Sequence, residues 1–305
     1  MDHLWIFISV FAALMQAVRT AAQKTLNQRM SNLGTTYVRS LVGLPIMLVY
    51  LAGVLVFSGG GLPPLSGAFL LHTFLGAAAQ VLATMLLIHL FRLRNFAVGS
   101  MLIKVDLVMT ALIGLVAFSE SISGPGWLAL AIVVAGVLAM SVGKMGVAKL
   151  AGDGSLLSSL TNEATRVALA CALLFALSYL FLREATLALK PGDFLWRGAW
   201  TVVVATTMQV VCVGAWVIWK EPRVFLEIWP NRRIIGFIGL TSALGSIGWF
   251  TGFALQNASY VRAVGQIEAV FTVIISVLYF RERITRLELA GIALTVIGVL
   301  MFRLL

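Results

Sequence analysis

Three charged side chains, Lys104, Asp106 and Glu268, lie inside long apolar stretches, with Gln266 beside the last of them. A charge near the middle of a bilayer costs at least ~2.5 kcal/mol on insertion scales, so one that persists there needs a reason. A cation at position 104 can hold an anion. A carboxylate at 106 or 268 can carry a proton or bind a cation. The alternative is a buried ion pair that ties the fourth and ninth helices together. Such a pair can usually be replaced by apolar packing at little cost, which favours the functional reading. Residues two apart on a helix point in nearly opposite directions. Lys104 and Asp106 therefore cannot share one narrow face, and at least one of them needs a structural partner.

A second group is cationic. Arg19 and Arg39 lie toward one end of their apolar runs, and Arg183, Arg197 and Arg262 toward the opposite end. Guanidinium forks there would attract carboxylates or phosphates; snorkelling at helix ends is the structural alternative. Gln16, Gln80, Tyr179, Gln209, Trp249 and Asn257 are further candidates to line a cavity, and intramembrane amides also bond helix to helix. Chemistry of other kinds finds no constellation. His3, His72 and His89 are scattered without metal-ligand spacing. No HExxH, nucleophile elbow or phosphate-binding glycine loop occurs, so neither an enzyme nor a cofactor is expected.

The elements that must position these groups follow from composition. Of 305 residues, 60% are hydrophobic and only 11% charged, with a mean hydropathy of +1.00. A soluble domain is nearer half apolar and a quarter charged. Runs of roughly 20 apolar residues cross a bilayer as helices, because lipid leaves no other partner for the backbone. The runs predict ten spans: 4–24, 35–57, 70–90, 95–117, 126–142, 167–189, 194–219, 234–256, 259–279 and 287–304. The first span reads as a retained helix rather than a cleaved signal. The stretch 220–233, with Phe225, Trp229 and Pro230, reads as an interfacial segment. Cys171 and Cys212 fall inside spans and predict no disulfide. The faces Ala131-Ala135-Ala139-Gly143 and Gly248-Gly252 predict close helix packing, within the chain or at a dimer contact.

The net charge of +10 does not signal nucleic acid. Its basic residues flank the apolar runs, as topology signals do. Lys24, Arg29, Arg92, Arg94, Lys144 and Arg232 fall on one side, against Lys190, Arg197 and Arg303 on the other. Positively charged loops stay cytoplasmic, which places both termini in the periplasm of a bacterial inner membrane.

The chain also repeats. A shift of 162 residues carries Asn95 onto Asn257, Lys104 onto Gln266, Asp106 onto Glu268, Glu120 onto Glu282 and Gly136 onto Gly298. Nearer the start of each half, Arg19 parallels Arg183 and Arg39 parallels Arg197. Each half, 1–145 and 166–305 with a linker at 146–165, holds five spans. An odd number inverts the second half, as in many secondary transporters whose site lies near the midplane. Glu120 and Glu282 lie in short loops, where turn and cap roles are expected.

The motif Ser-Glu120-Ser-Ile with Gly136, repeated as Arg-Glu282-Arg-Ile with Gly291 and Gly298, resembles the EamA domain, and Arg39 fits that family's arginine at the second helix. Two such domains make the ten-helix members of the drug/metabolite transporter superfamily. The resemblance implies a two-domain carrier with a central cavity, alternating access and no organic cofactor. Both fourth spans lack the proline that many EamA domains carry there; Lys104-Val-Asp106 and Gln266-Ile-Glu268 stand in that region instead.

The expectation is thus an all-α integral membrane protein, a secondary transporter of a small polar or amphipathic metabolite, amino-acid-like or an organic anion, with protons as candidate coupling ions. The residues expected to bind or couple are Lys104, Asp106, Gln266, Glu268, Arg19, Arg39, Arg183, Tyr179, Trp249 and Gln80. Its partners are the solute and membrane lipid, and it works as a monomer or homodimer. Two alternatives are a lipid or lipid-linked translocase and a non-transporting membrane sensor or assembly factor.

Overall fold

The computed structural model describes residues 3–58, 60–63, 65–90, 103–145, 163–279, 281 and 284–304. Expectations for Arg92, Arg94, Asn95 and Glu282, the first part of the expected span 95–117 and most of the 146–165 linker lie outside the described residues. Among the described residues every regular element is helical. In order these are α1 (Leu4–Leu26), α2 (Asn32–Ser58), α3 (Gly67–Leu90), a 3₁₀ turn (Ile103–Val105) leading into α4 (Asp106–Ala117), α5 (Gly124–Met145), α6 (Glu163–Leu187), α7 (Phe194–Lys220), α8 (Val224–Ile228), α9 (Arg232–Leu255), α10 (Ala258–Gly265), α11 (Glu268–Leu278) and α12 (Arg286–Met301). Nine spans of described residues are long and apolar enough to cross a membrane, with 258–278 counted as one. The expected span 95–117 is not among them, because only its end, from Ile103, is described.

The described chain forms two compact units, Met1–Val81 with Phe181–Asn257, and Leu82–Leu180 with Ala258–Leu305. They cut across the sequence repeats. Helices α3 and α6 each give one end to either unit, and the border between α9 and α10 is the chain border between Asn257 and Ala258.

In the first unit α9 packs on α1, α2 and α7. Lipid tails are as apolar as leucine, so helices in a bilayer associate through close packing and not through apolar burial. Glycines supply the closeness. A Cβ built on Gly239 would stand 2.5 Å from Val42, and one on Gly248 2.8 Å from Ala12. Leu26, Tyr37, Val38, Val217, Ile235 and Ile238 fill the core beside them. Asp193 starts α7, its carboxylate accepting from the Leu195 amide at 2.9 Å. The short α8 lies where an interfacial segment was expected, with Leu226 and Trp229 exposed and the Arg232 guanidinium 5.0 Å from the Trp229 ring.

In the second unit α5 and α12 are the closest pair. A Cβ on Gly136 would meet the Thr295 amide nitrogen at 2.6 Å, and one on Gly298 would meet Val133 at 2.7 Å. The packing face of α5 is therefore Val133, Gly136, Met140 and Gly143. The expected stripe shares only Gly143 with it, while Ala131 and Ala135 are exposed. Helix α12 opens with a capping box. The Thr285 hydroxyl accepts from the Glu288 amide, and the Glu288 carboxylate accepts from the Thr285 amide.

Candidate functional site

In the second unit two helices begin on a carboxylate at positions related by the 162-residue shift. The 3₁₀ turn at Ile103–Val105 precedes α4, whose first residue is Asp106. Residues Gln266 and Ile267 form a turn between α10 and α11, whose first residue is Glu268. No proline causes the break between α10 and α11. Each carboxylate therefore sits in the first turn of a helix, where unsatisfied amides favour negative charge. The equivalence extends one turn further. The Thr110 hydroxyl donates to the Asp106 carbonyl at 2.6 Å, and the Thr272 hydroxyl donates to the Glu268 carbonyl at 2.8 Å.

Asp106 is 4% exposed and Arg262 8% exposed. Arg262 Nη2 stands 3.5 Å from Asp106 Oδ2, and the guanidinium lies 4.1 Å from the Tyr179 ring centre. Charge-assisted bonds ordinarily close to 2.7–2.9 Å, so this pair is loose and the arginine is shared with the aromatic face. Asp106 Oδ1 is buried without a hydrogen-bond partner among the described residues. Glu268 adds to the negative field at both Arg262 and Tyr179. Gln266 is buried, while Lys104 and Glu268 are half-buried. Cys171 lies nearby, fully buried, its thiol donating to the Ala83 carbonyl at 3.2 Å. The structure thus gives Asp106 a partner in the 258–278 span, and the partner is Arg262. From the sequence, Arg262 reads as an anion-attracting or snorkelling arginine near the end of its span. Its position one turn before Gln266, in the span that carries Glu268, was the available signal.

Glu120 takes the cap role expected of it. It is 2% exposed and accepts from the Ala258 amide at 2.7 Å, the Ser259 hydroxyl at 2.6 Å and the Ser259 amide at 3.3 Å, at the start of α10. What aims it there is Ser119, whose φ of 54° turns the chain after α4, and the Glu120 amide then bonds back to the Gly114 carbonyl. This is the left-handed ending that commonly closes helices. Beside it, the Ser123 amide donates to the Tyr260 hydroxyl at 3.0 Å.

In the first unit the expected site residues divide. Arg183 donates to the Gln256 carbonyl at 3.0 Å and to Asn257 Oδ1 at 2.8 Å, with Glu184 at 3.8 Å. Arg197 donates to the Ala254 carbonyl at 2.9 Å and to the Thr186 carbonyl at 3.4 Å. Both guanidinium groups thus serve the C-terminal end of α9, where carbonyls lack helical partners and positive charge is favoured. Trp249 Nε1 donates to Gln16 Oε1 at 2.9 Å, and Gln209 Nε2 to Gln80 Oε1 at 2.6 Å, so these four side chains bond helix to helix in pairs. Arg19 and Arg39 are half-buried on α1 and α2, and their like charges act on each other. No group of three or more His, Cys, Asp or Glu that could hold a metal occurs among the described residues.

Nine apolar spans of membrane length among the described residues, with a buried ion pair between Arg262 of one span and Asp106 of α4, define a multi-pass membrane protein. Residues 3–142 and 165–304 each match the EamA-like transporter family, and the chain belongs to that family of the drug/metabolite transporter superfamily. A solved structure titled "Crystal structure of protein" has the same fold, with a TM-score of 0.66 at 13% identity over 99% of this chain and 97% of that one. No curated protein matches the sequence.

Proposed function

We propose that this chain is a secondary transporter of the bacterial inner membrane, moving a small polar or amphipathic metabolite, amino-acid-like or an organic anion, by alternating access. The reading includes ten spans in two inverted five-span repeats, with residues 103–117 as the described end of the fourth and both termini periplasmic. The observation that carries it is the break at Gln266–Ile267 inside the 258–278 span, followed at once by Glu268, and the equivalent helix start at Asp106 after the turn Ile103–Val105. Broken spans are where transporters expose backbone and helix ends to solutes and ions. An oligomer is not needed for this arrangement; a monomer or a homodimer serves equally.

The chemistry supports the same reading. The Asp106–Arg262 pair is long, shares its cation with Tyr179 and leaves one carboxylate oxygen unbonded. A pair kept for stability alone would be closed and satisfied. A loose one can exchange partners with a solute's ammonium or carboxylate, or with a proton. Asp106 and Glu268 are the groups assigned to that exchange, and Lys104, half-buried one residue from Val105, is the cation beside it.

A thermal-shift screen of the purified chain against metabolites, followed by flux in proteoliposomes, tests the proposal. A stabilising solute should equilibrate into protein-containing vesicles faster than into empty ones. A sensor or assembly factor would give no flux with any stabilising solute, and that result would reject transport.

A further inference from the structure

We infer that the exposed surface formed by residues 219–233 and the turn after α1 is a docking site for anionic phospholipid headgroups. Charge is unbalanced there. The cations Arg29, Lys220, Arg223, Arg232 and Arg233 are all exposed. The acids of the segment, Glu221 and Glu227, are half-buried, and the Glu221 carboxylate is held by the Ser31 hydroxyl. None of these cations makes an ion pair among the described residues. Elsewhere on the first unit the exposed charges among the described residues are Lys190 and Asp193, which cancel.

Membrane-spanning helices deliver this surface to one boundary of the bilayer. Lys220 ends α7, Arg232 and Arg233 begin α9, and Arg29 lies in the turn between α1 and α2. Apolar groups stand among the cations, with Trp219 74%, Leu226 78% and Trp229 74% exposed. Lys220 Nζ is 3.8 Å from the Trp219 ring centre, and the Arg232 guanidinium is 5.0 Å from that of Trp229. Indoles beside basic groups settle at headgroup depth, the ring toward the acyl chains and the cation toward phosphate. A soluble polyanion would use the charges alone and leave the indoles and Leu226 in water.

The surface is also held in shape. Val224 of α8 is 3% exposed, and a Cβ on Gly34 would stand 2.8 Å from it. Phe225 meets Tyr37 of α2 edge-on, with ring centres 5.9 Å apart. Arg29 Nη1 lies 3.5 Å from Asn231 Oδ1, and Asn231 Nδ2 donates to the Glu227 carbonyl at 2.9 Å. Arg29 is thereby drawn to the point where Arg232 and Arg233 begin α9. The first turn of α9 contains no acidic residue, and the helix dipole adds to the positive field. Groups already in place lose less freedom on binding. The equivalent connection of the first repeat, residues 59–66, contains no charge, so the repeat itself does not require the cations of 220–233. That this surface faces the cytoplasm rests on the orientation reading; that it binds anionic lipid rests neither on that nor on transport.

The test follows thermal unfolding of the full chain in nanodiscs of phosphatidylcholine alone or mixed equally with phosphatidylglycerol. The midpoint should be higher by about 3 °C or more in the mixed discs, by mass action on the folded state, and added salt should shrink the difference. Arg232→Gln with Arg233→Gln should lose most of the shift while keeping the wild-type midpoint in phosphatidylcholine, since both side chains are exposed. If that pair is unstable in phosphatidylcholine, Lys220→Gln with Arg223→Gln serves instead and should give the same loss. Arg166→Gln with Arg286→Gln, exposed arginines of the other unit, removes as much charge and should keep the shift. Equal wild-type midpoints in the two discs, or equal shifts in the two arginine pairs, overturn the proposal. So does an equal rise with inorganic phosphate or polyglutamate in phosphatidylcholine discs, which would assign the surface to a soluble anion.

Discussion

Asp106 and Arg262 stabilise each other less through their 3.5 Å contact than by each preventing the other from being a bare buried charge. Removing one partner of a buried pair costs about 3–5 kcal/mol, whereas removing both is often neutral. Arg262→Gln alone should therefore lower the unfolding midpoint strongly, and Asp106→Asn with Arg262→Gln should recover most of it. A double-mutant cycle by thermal unfolding measures this, and strict additivity would show that the two side chains do not interact. Glu120 makes a separate claim. Three donors converge on it at the start of α10, so Glu120→Gln should cost about 1–3 kcal/mol, read in the same assay. At this scale sequence reading went part of the way. Intramembrane position singled out Lys104, Asp106 and Glu268, because a charge in an apolar run is visible in one dimension. The partner Arg262 was not visible, since Asp106 and Arg262 are brought together by packing of α10 on α4. The same limit hid the division among the arginines. Arg183 and Arg197 read identically to Arg19 and Arg39 until the end of α9 is seen to occupy the first two.

Among the elements, the helix starts at Asp106 and Glu268 carry the functional reading and the glycine contacts carry the architecture. Helices α5 and α12 touch at backbone, with the Gly136 and Gly291 positions each facing the other's carbonyl within 3 Å of an added Cβ. Backbone cannot rotate away as a side-chain tip can. Gly136→Ala and Gly291→Ala should each destabilise by about 1–3 kcal/mol through overpacking. Gly53→Ala, where an added Cβ meets nothing, should not, and thermal unfolding of the three variants decides it. Apolar run lengths made most of these helices legible, and their ends fell within a few residues. The break after Gly265 and the 3₁₀ turn before Asp106 were not legible. Neither carries proline, and a turn inside an apolar run has the hydropathy of a helix. The alanine stripe of α5 misled for a related reason. Small residues recur on two faces of that helix, and only the partner's shape selects the face with Gly136.

For the whole molecule, the family and the nine described spans establish a multi-pass transporter fold, and the orientation remains to be measured. Loop charge predicts both termini in the periplasm. Alkaline phosphatase fused to either end should be active and a cytoplasm-dependent fluorescent fusion dark; the opposite pattern at the C-terminus alone would mean an odd number of spans. The central claim concerns the two carboxylates that begin α4 and α11. Its most direct test is counterflow in proteoliposomes loaded with a solute identified by thermal shift, with and without a pH gradient, for the wild-type chain, Asp106→Asn, Glu268→Gln and the double variant. The account predicts loss of roughly tenfold or more in initial rate for at least one single variant, and no response to the gradient in the double variant, with Arg166→Gln unchanged. Wild-type rates and an intact pH response in the double variant would contradict it.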